Sequence, residues 1–279
     1  MRVGVVGHVE WIEFVAVERV PRAGAIVTAR ESWGEAAGGG GVSAVRLAEI
    51  ADECTLFTAL GDDAWGRACA AQLETLGVRC EVAWRETEQR RGFCYVDDHG
   101  ERTITLLSEK LRPRRDEPLA WERIAELDAV YFTGGDADAL LAARAARVLV
   151  ATSRELETLR EAAVELDALV GSDDDPDERY EPGDLDPPPR LVFTTEGPDG
   201  GRIEPGGRRW DAAGLPAPRA DSYGAGDTFA ARLTYALGER RSPEDAAVFA
   251  AAGSAEQLTR RGAHGLHRRR GARVPDTLS

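Results

Sequence analysis

Apolar positions alternate between two periods along most of the chain. Arg2 to Val6 is a short apolar run of β type closed by Gly7, and an alternating segment follows through Val17. Ala25 to Ser32 reads as a further extended stretch leading into the glycine run Gly38 to Gly41, and from Val42 to Ile50 the spacing turns helical. Cys54 to Leu60 is strand-like, a Gly-Asp-Asp turn follows, and Ala64 to Leu76 has a helical period. Arg91 to Val96 and Thr103 to Leu107 flank an Asp-Asp-His-Gly turn and predict a β-hairpin. Short apolar strands are then predicted at Ala129–Phe132, Val148–Val150, Leu169–Val170 and Leu191–Thr194, separated by Ala- and Arg-rich helical stretches. Prolines and acids between Ser172 and Pro189 forbid a regular helix. Ala225–Leu237 and Pro243–Leu258 are predicted helices. Periods of 2 and 3.6 in alternation are the pattern of βαβ units on a parallel sheet.

No repeat and no linker divides the chain, so residues 1–279 read as one α/β domain. Inserted β segments near 9–32 and 91–107 are placed to form a lid. Composition then narrows the function classes. A net charge of −14 repels phosphate backbones and anionic bilayers, arguing against nucleic-acid and membrane partners. No apolar run approaches the roughly 20 residues of a spanning helix, and the N-terminus lacks a signal-peptide pattern. Cys54, Cys69, Cys80 and Cys94 form no CxxC pair and read as free thiols. A cytoplasmic location is the expectation. Lys110 is the only lysine, so any lysine-dependent chemistry rests on it; a Walker P-loop is absent.

The sharpest local signal is DSYGAGDTFAARLTYAL, Asp221 to Leu237. Gly224, Ala225 and Gly226 open an apolar-periodic helix, where the first backbone N–H groups have no internal partner and form an anion site. Asp227 follows in the first turn. Local physics leaves two readings open for it, an acid that stabilises the helix N-terminus and a catalytic carboxylate. The glycines Gly39 and Gly41 mimic part of a dinucleotide fingerprint, but they do not directly follow the first strand and lack a matching acid on a second strand. His8, His99, His264 and His267 have no metal-ligand spacing, and the acids Asp173 to Asp177 lack the order of a calcium loop. Trp11 and Trp33 lie in the lid segments, where packing or stacking on a ligand is open to them. The basic tail, Arg260 to Arg273, reads as a solvated face.

The segment D-[TS]-x-G-A-G-D-x-F resembles the second signature of the ribokinase-like (PfkB) carbohydrate kinases. AAGGGGVSAV (36–45) lies where that family's first signature falls, ALGDDAWG (59–66) is similar to its GDDxxG turn, and TTEGPDGG (194–201) to its nucleotide loop. The resemblance covers essentially the whole chain. It implies a ribokinase-like fold, a mostly parallel central sheet with helices on both faces and a small β lid. It implies transfer of the γ-phosphoryl of ATP to a primary hydroxyl of a small carbohydrate. On this resemblance Asp227 is the general base, and Gly224, Ala225 and Gly226 are the anion hole. Thr195, Gly197 and Gly200 lie in the ATP loop, with Ala251 to Ala255 near the adenine. Gly38 and Gly39 approach the substrate. Mg²⁺ accompanies the nucleotide. Asp221, with the backbone near Tyr223, Arg260 and Gly262, falls where many members bind a monovalent cation such as K⁺.

The departures bear on the substrate. Ser43 stands where the family usually has an asparagine contacting sugar hydroxyls. Ile12 stands in the register of a ribokinase aspartate, with Glu10 two residues before it on the same strand face. The metal-linked N-x-x-E motif is Ser172-Asp173-Asp174-Asp175, which assigns Asp175 to the metal with a shortened side chain. Glu10 and Ser43 are therefore expected to share recognition of a sugar other than ribose. A nucleoside kinase and a non-catalytic sugar- or nucleotide-binding regulator are the alternatives on the same scaffold. Pairing of two lids into a homodimer is the assembly considered.

Overall fold

A computed structural model describes residues 1–266. His267 and the rest of the basic tail lie outside the described residues. Near-continuous apolar runs are the pattern of strands buried on both faces, and such runs form the middle of the large sheet. In chain order the elements are β1 (Arg2–Val6), β2 (Glu10–Ala16), β3 (Glu31–Ala37), α1 (Gly38–Ala48), β4 (Glu53–Gly61), α2 (Ala64–Thr75) and β5 (Arg79–Arg85). They continue with β6 (Arg91–Val96), β7 (Arg102–Leu106), β8 (Ala129–Phe132), α3 (Ala137–Ala143), β9 (Val148–Thr152), α4 (Leu156–Ala162) and β10 (Ala168–Ser172). The last are β11 (Val192–Thr195), β12 (Gly201–Glu204), β13 (Arg208–Trp210), α5 (Ala225–Gly238) and α6 (Pro243–Leu258).

Nine strands form one sheet in the order β13-β12-β11-β10-β9-β8-β1-β4-β5. All pairings from β11 to β5 are parallel, and β12–β13 add an antiparallel edge. Successive side chains of β1 go to opposite faces. Val3 and Val5 join Leu47, Leu73, Phe229 and Ala247 beneath α1, α2, α5 and α6. Val6 joins Leu140, Leu159 and Trp121 on the face carrying α3 and α4. A second sheet, β3-β2-β6-β7, stands apart and packs Ile12, Phe14 and Cys94 against Tyr223 and Val42.

Helix starts follow the local chemistry. Asp63 caps α2 by accepting from the Trp65 and Gly66 N–H groups at 2.9 and 2.8 Å. Ser242 caps α6, with Pro243 in its first turn. Two expected boundaries shift. The extended stretch Ala25–Ser32 is not a strand: Ile26 is fully exposed, and β3 begins only at Glu31, where antiparallel pairing with β2 begins. Helix α1 starts at Gly38 rather than Val42. Glycine is a poor helix former, yet here close approach decides: a Cβ on Gly40 would stand 2.6 Å from the His8 carbonyl oxygen.

Candidate active site

In an open parallel sheet the ligand cleft lies beyond the carboxyl ends of the strands. The loop after β1 brings His8 there, the end of β8 brings Thr133, the turn after β9 brings Glu155, and the start of α5 brings Asp227. They converge over the glycines at the start of α1. A Cβ on Gly39 would meet Thr133 Oγ1 at 2.5 Å, Asp227 Oδ1 at 3.2 Å and His8 Cε1 at 3.4 Å, while one on Gly38 would meet Glu10 Cγ at 3.1 Å. Only glycine leaves this space open.

Gly224 precedes α5 with φ of +72°, a conformation glycine adopts without strain, and it packs against Val42. Gly226 faces open space, with no atom within 4 Å of an added Cβ. Asp227 lies at this helix start. Burial, then the Glu178 carboxylate, pushes its carboxyl above the ordinary aspartate range, while Arg102, Arg154 and Lys110 pull it back.

A second group gathers around His8. Arg90 pairs with Glu10 at 2.9 Å, and Lys110 and Arg112 pair with Glu155 at 2.9 and 3.3 Å. Burial, then Lys110, Arg90 and Arg112, hold the His8 imidazole well below its usual pKa, so it stays neutral at pH 7. Three cations, Arg90, Lys110 and Arg112, thus face the carboxylates of Glu10, Glu155 and Asp227, and burial pushes Glu10 toward its neutral form.

The other expected residues divide. Thr195 ends β11, Gly197 opens a short turn at residues 197–199, and Gly200 packs under the β13 backbone, where a Cβ would stand 2.1 Å from the Trp210 carbonyl oxygen. Asp175 departs from expectation. Arg154 takes its carboxylate and also binds Glu178 at 2.6 Å, so a guanidinium occupies the acids beside the cleft. No group of three or more His, Cys, Asp or Glu able to hold a metal occurs among the described residues. Ser43 is a second correction. It is fully buried and donates to the Asp227 carbonyl at 3.3 Å, so it joins α1 to α5 instead of facing a ligand. Ser43→Ala should therefore lower stability by about 0.5–1.5 kcal/mol and leave ligand affinity unchanged, read by denaturant melts beside binding titrations. Asp221 is also committed, accepting from the Tyr223 N–H at 2.9 Å and the Gly262 N–H at 2.7 Å. Arg260 turns to Glu49 at 2.8 Å.

Arg90, Arg112, Arg154, Glu155, Glu178 and Thr133 were not legible as site residues. Arginines and acids occur throughout this sequence, so only Lys110, the single lysine, and Thr133, a polar residue between a strand and Gly134-Gly135, carried any signal.

The family model of the pfkB carbohydrate kinases matches residues 2–267. The chain belongs to that family. It is an ATP-dependent carbohydrate kinase. The kinase is 28% identical over 264 residues to the ATP-dependent ribose-1-phosphate kinase of Halopiger xanaduensis, covering 83% of each chain. Its fold is similar to that of a putative ribokinase from Agrobacterium tumefaciens, with a TM-score of 0.80, 21% identity, and 95% and 93% of the two chains covered. It is also similar to phosphofructokinase-2 from Escherichia coli solved with potassium, with a TM-score of 0.72, 15% identity, and 94% and 93% covered. No described helix of the kinase is long and apolar enough to cross a membrane.

Proposed function

We propose that the kinase transfers the γ-phosphoryl of Mg²⁺-bound ATP to a primary hydroxyl of a small sugar that already carries a phosphate. The observation that carries this reading is the pair of cations, Arg90 and Lys110, set beside His8. Arg90 and Lys110 are nearly buried, and desolvated guanidinium and ammonium groups favour an anionic partner over a neutral hydroxyl. The name of the Halopiger xanaduensis relative, a ribose-1-phosphate kinase, supports the same substrate class.

Asp227 takes the hydroxyl proton in this reading. It faces the space over Gly39 beside Thr133, and the free N–H groups at the start of α5 stand next to it to hold the transferring phosphoryl. Phosphoryl transfer needs positioning and charge stabilisation above all, and fixed N–H donors supply both. Mg²⁺ carried by the nucleotide would neutralise the β- and γ-phosphates, and Glu178, whose carboxylate acts on Asp227, would hold it together with phosphate oxygens and water while Asp175 stays with Arg154. The second sheet then acts as the lid, placing Glu10 over the sugar.

The test is a panel of ribose, ribose 1-phosphate and adenosine with ATP, scored by kcat/KM. The sugar phosphate should exceed both others by about 10-fold or more, the worth of one charge-assisted hydrogen bond. Comparable turnover of free ribose would remove the phosphate claim, and comparable turnover of adenosine would favour a nucleoside kinase. Chelating Mg²⁺ should abolish transfer in every arm.

A further inference from the structure

We infer that the side-chain amide of Gln257 fills the position that a monovalent cation would take beside the anion hole, so that this kinase works without K⁺. The inference rests on reading Gly224–Gly226 as the phosphoryl site.

Gln257 lies in the last turns of α6 and is 1% exposed. Its Nε2 donates to three backbone carbonyls, of Tyr223 at 2.9 Å, Gly262 at 3.2 Å and Ala263 at 3.3 Å. Carbonyl oxygens converging from two loops repel one another unless a cation or a hydrogen-bond donor stands between them. K⁺ is such a cation, and an amide –NH₂ is a neutral donor that serves the same oxygens. The orientation of the amide is settled by its surroundings, because the opposite flip would turn Oε1 toward the three carbonyls. The cost is visible: Gln257 Oε1 is buried with no hydrogen-bond partner.

The carboxylate that a cation would share is engaged in the same manner. Asp221 is 1% exposed, and its two oxygens accept the N–H groups of Tyr223 and Gly262. Glu35, reaching in from β3, accepts the N–H groups of Ala263 at 2.6 Å and His264 at 3.1 Å. Every N–H of this loop pair named here points to an acid, and every carbonyl points to Gln257. The donor set that the resemblance assigns to K⁺ therefore does not fit the ion. It is satisfied by the protein alone.

The consequence is positional. The Nε2 atom stands 3.7 Å from where a Cβ on Gly224 would lie, directly behind the first glycine of the anion hole. Gln257 is thus a positioning residue: it ties segment 221–224 to segment 262–263 and fixes where the N–H groups of the α5 start point.

Two variants separate this role from simple filling of space. Gln257→Ala removes the donor and leaves room for an ion. Gln257→Met removes the donor and keeps the volume. Rates with ATP and melting temperatures are measured for all three proteins in K⁺ and in tetramethylammonium at equal ionic strength, with Tl⁺ binding as a direct probe of the cage. Wild-type rate and melting temperature should be the same in both salts. Gln257→Ala should lose roughly 10- to 100-fold in kcat in tetramethylammonium, as a displaced catalytic loop does. It should regain rate in K⁺, melt higher in K⁺ by mass action and bind Tl⁺. Gln257→Met should be slow in both salts and bind no Tl⁺.

A wild type accelerated or thermally stabilised by K⁺ overturns the inference. So does a Gln257→Ala protein that keeps its full rate, or one that neither melts higher in K⁺ nor binds Tl⁺. Should the wild type phosphorylate no acceptor, the kinase reading of the site fails on its own, and the melting and Tl⁺ series still decides the role of Gln257.

Discussion

Asp227→Asn is expected to reduce kcat by about 10²–10⁴ while leaving nucleotide and sugar affinity nearly unchanged. The amide preserves volume and a hydrogen bond at the point over Gly39 where Asp227 Oδ1 stands, but it cannot accept the hydroxyl proton. The pH profile gives a second reading. Burial and Glu178 raise the Asp227 pKa, and the base works only when deprotonated. The rate should fall with acid along a limb lying above the ordinary aspartate range, and Asn should erase that limb. Stability moves the other way. A carboxyl whose folded pKa exceeds its unfolded value destabilises the fold once pH is above the unfolded value. Asn should therefore melt at or above wild type at pH 7, with the difference vanishing as pH falls below the ordinary aspartate pKa. Loss of the helix-dipole interaction, about 0.3–1 kcal/mol, works against this gain. A folded Asn variant with undiminished turnover would reduce Asp227 to a helix-stabilising acid.

Lys110→Met is expected to raise the KM for the sugar phosphate by about 10- to 100-fold, the range of one hydrogen bond to a charged group. The aliphatic stem survives in methionine, so packing changes little, and Arg112 remains on Glu155 at 3.3 Å. Arg90→Met should act in the same direction, but it also strips the buried Glu10 carboxylate of its partner and should lower the melting temperature. The discriminating quantity is the ratio of kcat/KM for the phosphorylated sugar to that for the free sugar. It should collapse in both variants while the rate with free sugar holds. Equal losses on both substrates would show that Lys110 only supports Glu155, and the phosphate claim would fall.

These two experiments probe residues of different legibility. Asp227 was visible because its information is local: small residues, a helix start and an acid in its first turn lie within a few positions of one another. The strands β1, β4, β8 and β9 and helices α2, α5 and α6 were visible for the same reason, since periodicity and capping are short-range. The strands β5, β12 and β13, at the two ends of the sheet, carry too little signal to be read, because they are short, rich in arginine and partly exposed, and show no clear apolar alternation. Ser43 was misread. Its distance from the glycine run suits a ligand contact, but only the packing of α1 on α5 turns its hydroxyl to the Asp227 carbonyl.

The sequence by itself determined the order of βαβ units, the two-sheet division and the family, because hydrophobic period, turn chemistry and a contiguous signature are written in neighbouring residues. Tertiary structure alone decided which charges meet. Glu10 and Arg90 come together at the mouth of the second sheet, Lys110 reaches Glu155 across the strand ends, and Gln257 reaches Tyr223 between two loops. The physical reason is that an arginine or a glutamine has no positional preference of its own. Its partner is set by which strands lie side by side, and β1 sits between β8 and β4, far from both in sequence. The proposed charge of the substrate and the inferred independence of K⁺ both rest on those long-range meetings.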